Sequence, residues 1–415
     1  MIDVGSAQAL IRERAVAMPV EYIPLAQAEG RVLAETIDSP SDLPPFDNSA
    51  MDGYALRWNE DLRPGAALMV VAELAAGDVA DTVAPGVVSI MTGARILDGR
   101  DTVVPVEDVA VLRCADDGSP LEIRIDRTTT RGQHVRRAGE DIACGDEAVQ
   151  AGTRLGAAEL MLLRGIGIAQ VAVRQRPRVV VACTGRELVD VPGRPLLPGQ
   201  IYNTNGPYLA LRLREAGADV LETRTLPDDA SVFVAMARQW LAGGVDIVIS
   251  TGAVSMGRYD FVPDALRTLG GETVFHKVKM RPGKPLLFAT LPGGALFFGL
   301  PGNPVSSAVG MRFFVETALR CMLAMPSEQS WRMALAGGID KKPGFHLYQK
   351  AELRLDAGGQ LSLGLLKGQE SFKTRPLLPA RVWAGLPAQA ETLLAGALVD
   401  VHPLCHFDQT LFTRT

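Results

Sequence analysis

The sequence predicts a multidomain α/β plus β protein, with a central three-layer α/β domain, an inserted small β-rich domain and a C-terminal β-barrel-like domain. Three observations carry that prediction. The chain has 415 residues, too many for one ordinary hydrophobic core. From PRVVVACTG (177–185) onward, apolar strand-like runs alternate with amphipathic helical ones, the pattern of a layered, largely parallel sheet. Short β-like runs punctuated by Gly, Pro and Asp fill about 43–140 and return after about 326, as expected of small β domains.

Taken in order, residues of about 5–35 read as helix, because Ala7, Leu10, Ile11, Val16, Leu25, Val32 and Leu33 recur near helical spacing. Pro40, Pro44 and Pro45 end that region. ALMVVAEL (67–74) and DTVVPVED (101–108) read as strands of the β-rich module. An Ala/Leu/Met helix within 148–172 is expected to pair with the N-terminal helices, making 1–42 plus 142–174 a discontinuous domain around an insertion at 43–141. The α/β domain then occupies 175–326 and the C-terminal β domain 327–415. Within the α/β domain the expected order is strand 177–185, helix 205–217, strand 218–226, helix 229–242, strand 245–251, helix about 260–269, strands near 273–278, 285–290 and 295–299, and a long helix after Pro304.

Composition excludes several classes of function. The 42 basic and 47 acidic residues give a net charge of −5 and are mixed along the chain, which argues against nucleic acid or a membrane surface as partner. Any anion site must therefore be local. The five cysteines (114, 144, 183, 321, 405) are scattered, with no CxxC pair or metal-type Cys/His spacing, and read as reduced thiols. No apolar run approaches the roughly 18–20 residues of a membrane helix, and residues 1–20 lack a signal-peptide pattern. The expectation is a cytoplasmic protein.

Ligands of an open α/β sheet sit beyond the carboxyl ends of its strands. Three loops there are unusual: CTGREL (183–188) with Glu187, STGAVSMGRYDF (250–261) with Ser255 and Asp260, and GLPGNPVSS (299–307). In the last, Asn303 is placed to cap a helix begun by Pro304, leaving backbone N–H groups near Ser306 to face an anion. HKVKMRPGKP (276–285) adds Lys277, Lys279, Arg281 and Lys284, cations that a bend at Pro282–Gly283 could bring onto one polyanion. Taken singly, each loop is also an ordinary turn or solvated face. Asp52, Asp141, Glu187, Asp228 and Asp260 are candidates for Mg²⁺ or for proton transfer, since Mg²⁺ takes a few carboxylates plus phosphate oxygens. For Asp228, ahead of a helix in LPDDAS, capping is the competing role. LPPFDNSAMDGYA (43–55) mixes acids and apolar residues too closely for either a solvated loop or a core strand.

FDNSAMDGYA, SIMTGA (89–94), GED (139–141), TGxEL, STGxVSMGxxDF, KVxMRPGKP and GLPGNPVSS occur here in the order found in molybdopterin molybdenumtransferases, the bacterial MoeA proteins and their gephyrin E-domain relatives. The chain resembles that family over nearly its whole length. The resemblance implies a molybdopterin-binding α/β domain, a homodimer, and insertion of molybdate into adenylylated molybdopterin with release of AMP, assisted by Mg²⁺. It implies molybdopterin adenylyltransferase and apo-molybdoenzymes as partners. It assigns Asp52, Thr92, Asp141, Glu187, Asp228 and Asp260 to the polar functional set, with Glu187 and Asp260 toward Mg²⁺. Lys277, Arg281, Lys284, Ser255, Asn303 and Ser306, with Lys350 and Ser371 of the C-terminal domain, are assigned to molybdopterin and molybdate. In the family the cleft lies between subunits, so Asp52 and Thr92 would face the partner's α/β domain, with Phe46, Met51 and Tyr54 anchoring their segment.

The chain departs from the family pattern at Ala253 (usually Gly), Arg186 (usually Asp), Lys350 (usually Arg) and Glu370, which falls near the expected oxyanion position. Arg186, Ala253 and Glu370 favour a second reading, a non-catalytic cofactor-binding paralogue. A third reading, an adenylylating enzyme, would need only the α/β domain.

Overall fold

The computed structural model describes residues 1–79, 84–253 and 261–405. They form two compact units: Met1–Tyr22, Gly30–Ala34 and Ala172–Thr415 in one, Ile23–Glu29 and Glu35–Val171 in the other.

The first unit is built on a six-stranded sheet: β1 (Arg178–Thr184), β2 (Asp219–Leu226), β3 (Ile247–Thr251), β4 (Glu272–His276), β5 (Leu287–Thr290) and β6 (Leu296–Leu300), in spatial order β2-β1-β3-β6-β5-β4. The first four in that order are parallel, and β5 and β4 add antiparallel edges. The continuous Val run of β1 is explained by burial on both sides, because successive side chains point to opposite faces. Val179, Val181 and Cys183 pack with Leu209 and Leu213 of helix Asn205–Glu215, while Val180 and Ala182 share a second core with Phe233 and Ala237 of helix Ala230–Ala242. Each such Val, Leu or Phe side chain contributes about 1.5–3 kcal/mol on burial. Helices on both faces make this a three-layer arrangement.

The chain leaves β1 toward one face and β3 toward the other. Their adjacent carboxyl ends are therefore the switch point at which such sheets bind ligands. A long helix follows Pro304, running as Pro304–Gly310, a π-helical turn Met311–Val315 and Glu316–Met322. It carries buried charges. Glu316 is fully buried and accepts from Arg212 Nη2 at 3.0 Å, while Arg312, also buried, pairs with Glu328 and donates Nε to the Pro403 carbonyl at 2.9 Å.

The C-terminal segment forms a sheet in the order Met280–Arg281, His346–Leu355, Val382–Leu386, Leu398–Pro403, Trp331–Ala334, with Leu361–Leu365 also on His346–Leu355. An isolated bridge between Leu335 and Leu363 curls it toward a barrel over a core that includes Leu335, Ala351, Val382 and Val401. Its edge strand, Met280–Arg281, comes from the cationic loop and pairs with His346 and Leu347.

In the second unit the sheet order is Thr102–Pro105, Gly53–Leu56, Val87–Ile90, Ala67–Leu74, Pro120–Ile125, Val109–Cys114. Gly53 is required there, because a Cβ would lie 2.2 Å from the Val104 carbonyl oxygen.

Two expectations change in extent. The N-terminal helix covers only Val4–Arg14, and Val20–Pro24 is extended. Pro19 and Pro24 lack amide protons and hold the residues before them out of the helical region. That helix packs within the α/β unit, where Gln8 Nε2 donates to the Phe313 carbonyl at 3.0 Å, whereas the helix in 148–172 covers Ala157–Gly165 and lies in the other unit.

Candidate functional site

The cationic loop and the C-terminal sheet enclose a cavity of about 500 Å³, lined by Arg281, Lys284, Lys341 and Lys342 against one acid, Asp340, with Ser306, Ser371, Phe345 and Gln369 among the other lining residues. Asp340 accepts a hydrogen bond from Thr392 at 2.7 Å. Lys341 donates its ammonium to the carbonyls of Ala388 (3.4 Å) and Ala390 (2.8 Å), and its loss of hydration lowers its pKa. Among the described residues, Arg281, Lys284 and Lys342 are in no ion pair with a carboxylate. A cavity carrying this excess of cations, in a chain of net charge −5, is chemically suited to a small polyanion.

The start of the long helix is fastened here, because Val305 donates its N–H to the Ser371 carbonyl at 2.9 Å. Asn303 occupies the N-cap position, but its side chain makes no capping hydrogen bond. The expectation that it caps through its amide is corrected: its backbone carbonyl accepts from Ser307 N–H at 3.0 Å instead.

At the switch point, the backbones of β1 and β3 nearly touch. Gly252 has φ 90° and a Cβ on it would meet the Thr184 carbonyl and hydroxyl oxygens at 2.8 Å. The Glu187 carboxylate folds over Gly185, where a Cβ would lie 2.8 Å from both its oxygens. Asp228 reaches the same loop, accepting from the Arg186 N–H at 3.4 Å. The capping role belongs to its neighbour: Asp229 accepts from the N–H groups of Ser231 and Val232. Asn205 ties in the third loop by donating to the Gly302 carbonyl at 2.7 Å.

The second unit gathers three more motifs on one edge. Gly53 pairs with Ile90 across antiparallel strands, so Asp52 and Thr92 emerge at the same end. Asp52 Oδ1 accepts from Thr92 N–H at 2.7 Å and from its hydroxyl at 2.9 Å, and these two bonds hold the Asp52 carboxyl below the usual carboxylate range. Asp47 accepts from Ala138 N–H at 2.9 Å and pairs with Arg137 at 2.5 Å, while Asp141 N–H donates to the Leu43 carbonyl at 3.0 Å. The segments 43–52 and 134–142 are thereby laid side by side.

Two family models match the chain: the MoeA N-terminal region (domain I and II) over residues 2–167 and a probable molybdopterin binding domain over 180–321. A molybdopterin molybdenumtransferase of Synechococcus elongatus is 37% identical over 396 residues, covering 93% of this chain and 95% of that protein. The chain belongs to the molybdopterin molybdenumtransferase family. Molybdopterin molybdenumtransferase 2 of Mycobacterium tuberculosis is 35% identical over 97% of this chain and 100% of its own length. The crystal structure of the molybdopterin biosynthesis moeA protein from Pyrococcus horikoshii OT3 superposes with a TM-score of 0.79 at 27% identity, covering 97% of this chain and 100% of that one.

Among the residues assigned by resemblance to molybdenumtransferases, Arg281, Lys284, Ser306 and Ser371 share the cavity, and Glu187 and Asp228 share the β1 loop. Ser255 and Asp260 lie outside the described residues. Lys277 adopts φ 72° and binds the Leu286 carbonyl through its N–H at 2.9 Å, and its side chain is not part of the cavity wall. Lys350 is also absent from that wall. It is fully buried and donates Nζ to the carbonyls of Gly368 (2.7 Å) and Lys373 (3.2 Å). The wall position next to it is taken by Gln369, which clasps the Lys350 backbone through 2.9 and 2.8 Å hydrogen bonds. Glu370, which would oppose an oxyanion, pairs instead with Lys373 at 2.7 Å and is absent from the wall.

Tyr54 is buried as an anchor should be, at 5% exposure, but Phe46 (41%) and Met51 (37%) are exposed. Among the described residues, their side chains are therefore not buried as anchors would be. Lys341, Lys342, Phe345 and Gln369 were not expected at the site. The only sequence signal was the KKPGF run (341–345), too short to distinguish from a solvated turn.

Proposed function

We propose that this chain transfers molybdenum from molybdate into adenylylated molybdopterin, releasing AMP and leaving molybdenum cofactor. The coarser statement rests on family membership: the chain is a transferase that inserts molybdenum into molybdopterin. The observation that carries the finer reading is the cavity in which Arg281 and Lys284 stand beside the hydroxyl-bearing Ser306 and Ser371. A guanidinium offers two parallel N–H donors to an oxyanion and the ammonium a point charge. Together they would hold molybdate while the hydroxyls of Ser306 and Ser371, which line the same cavity, orient its oxygens.

For Mg²⁺, the residue that fits is Glu187, whose carboxylate is turned over the Thr184–Gly185 loop, with Asp228 reaching the same loop. One or two carboxylates plus substrate phosphate oxygens are what Mg²⁺ ordinarily takes, and Asp260 would complete the family set. When bound, the ion would neutralise charge developing on the phosphates. Glu187 and Asp228 would orient it and exclude other anions from the loop.

The reading includes a cytoplasmic homodimer, with 43–141, 175–326 and 327–415 as separate parts and the helix Val4–Arg14 kept within the α/β unit. Asp52, Thr92 and Asp141 of one subunit would face the sheet-edge loops of the other. The exposed Phe46, Met51 and Met91 beside Asp52 support a covering partner surface. Molybdopterin adenylyltransferase would supply the substrate and apo-molybdoenzymes would take the product. The full-length match to proteins named as transferases disfavours the non-catalytic paralogue.

The test supplies purified protein with adenylylated molybdopterin and Mg²⁺ and follows AMP release with and without molybdate. Molybdate-dependent AMP is expected, and Arg281→Ala should raise the KM for molybdate at least about tenfold. AMP release that ignores molybdate would sink the insertase reading.

A further inference from the structure

Arg281 and Lys284 repel one another, yet both stand over one ring. The Arg281 guanidinium carbon lies 4.5 Å and the Lys284 Nζ 5.7 Å from the Phe345 ring centroid, both within the roughly 6 Å reach of a cation–π contact. The arrangement is set by backbone register. Arg281 pairs with Leu347 in parallel, and His346 N–H donates to the Lys279 carbonyl at 3.0 Å, so Phe345 is held where the cationic loop turns at Pro282. The ring is half-buried and forms part of the cavity wall.

We propose that Phe345 is a positioning residue for the anion, acting through Arg281 and Lys284. A carboxylate in its place would gather the two cations equally well but would cancel their charge. A π face attracts them through its quadrupole and leaves both full charges for a tetrahedral oxyanion. The C-terminal domain thus orients the cations of the α/β domain without competing with the ligand. This inference rests on the reading that the cavity takes molybdate.

The test is calorimetric titration of the full chain with molybdate, with Phe345 replaced in turn by mono-, di- and trifluorophenylalanine. Fluorination drains the π face while nearly preserving shape. The Kd should rise stepwise, reaching about three- to tenfold in the trifluorinated chain. The series should be flat in an Arg281→Gln, Lys284→Gln background. In turnover, Phe345→Leu should raise the KM for molybdate with kcat held within about twofold, and Phe345→Tyr should restore it. A flat series in the otherwise unaltered chain, or the same rise in both backgrounds, would overturn the platform. Unchanged molybdate binding by the Arg281→Gln, Lys284→Gln chain would instead remove the cavity from the proposed function.

Discussion

Thr92 gives both its backbone N–H and its hydroxyl to a single oxygen of Asp52, at 2.7 and 2.9 Å, leaving the second oxygen uncommitted on an exposed edge. The two donors stabilise the ionised form, so Asp52 stays a carboxylate to lower pH than an ordinary aspartate.

Asp52→Ala and Asp52→Asn should abolish most turnover at only a small cost in thermal stability, that of the hydrogen bonds from Thr92 at an exposed site. Thr92→Ala should return the Asp52 pKa only part of the way toward 3.8, because the backbone N–H of residue 92, the larger cause, remains, and Thr92→Ser should leave it in place. Because the folded pKa is depressed, these hydrogen bonds stabilise the native state above the unfolded pKa and that contribution is lost as pH falls through the folded value. NMR titration of the Asp52 carboxyl reads the shift directly.

Ala253 adopts φ 51°, in the left-handed region where a Cβ costs about 1–2 kcal/mol. Glycine relieves that strain but gives back about 0.4–1 kcal/mol of unfolded-chain entropy. Ala253→Gly is therefore expected to stabilise the protein by about 0.5–1 kcal/mol, seen as a higher urea midpoint. A lower midpoint would mean that the contact of its methyl with the core around Phe233 and Leu266 outweighs the strain.

Glu316 is buried with no exposure and is held by Arg212 at 3.0 Å. Glu316→Ala removes the fully buried partner of Arg212, which is left with the more exposed Glu215 carboxylate at 2.8 Å, and should cost up to about 3–5 kcal/mol. Glu316→Met with Arg212→Leu should recover much of that loss. If the single and double variants unfold at the same denaturant concentration, the pair is not what stabilises this region.

His346 is half-buried beside Tyr348, and loss of hydration lowers its pKa from 6.5 to about 4, with Lys341 adding to the depression and Asp400 opposing it. The unfolded chain therefore takes up this proton first as pH falls. Stability from His346 is complete above about 6.5 and is lost toward about 4, at up to about 1.4 kcal/mol per pH unit. His346→Gln should flatten that part of the stability profile, measured by urea unfolding between those limits. An unchanged slope would assign the acid sensitivity to other groups.

The α/β domain was the most legible part of the chain, because a strand buried on both faces shows as an unbroken apolar run such as Val179–Val181, and an amphipathic helix such as 205–215 shows its own period. The N-terminal region was harder. Leu25, Val32 and Leu33 are buried at a spacing that imitates one long helix, while Leu25 lies in a single 3-10 turn and Val32 and Leu33 in extended structure, since burial there follows contacts rather than period. The site divides along the same line. Asp52, Glu187 and Arg281 stand in long motifs that can be read in one dimension. Phe345 and Gln369 stand in none.

The sequence by itself determined the strand and helix order of the sheet, the loops at its carboxyl edge, the family, and the residue types an anion needs, because local periodicity and motif spacing are properties of neighbouring residues. Tertiary structure alone decided that Lys350 would be buried on loop carbonyls, that Glu370 would be neutralised by Lys373, and that Phe345 would gather Arg281 and Lys284. The last of these depends on the pairing of Met280–Arg281 with a strand that begins at His346, and a contact across such a separation leaves no period in the chain.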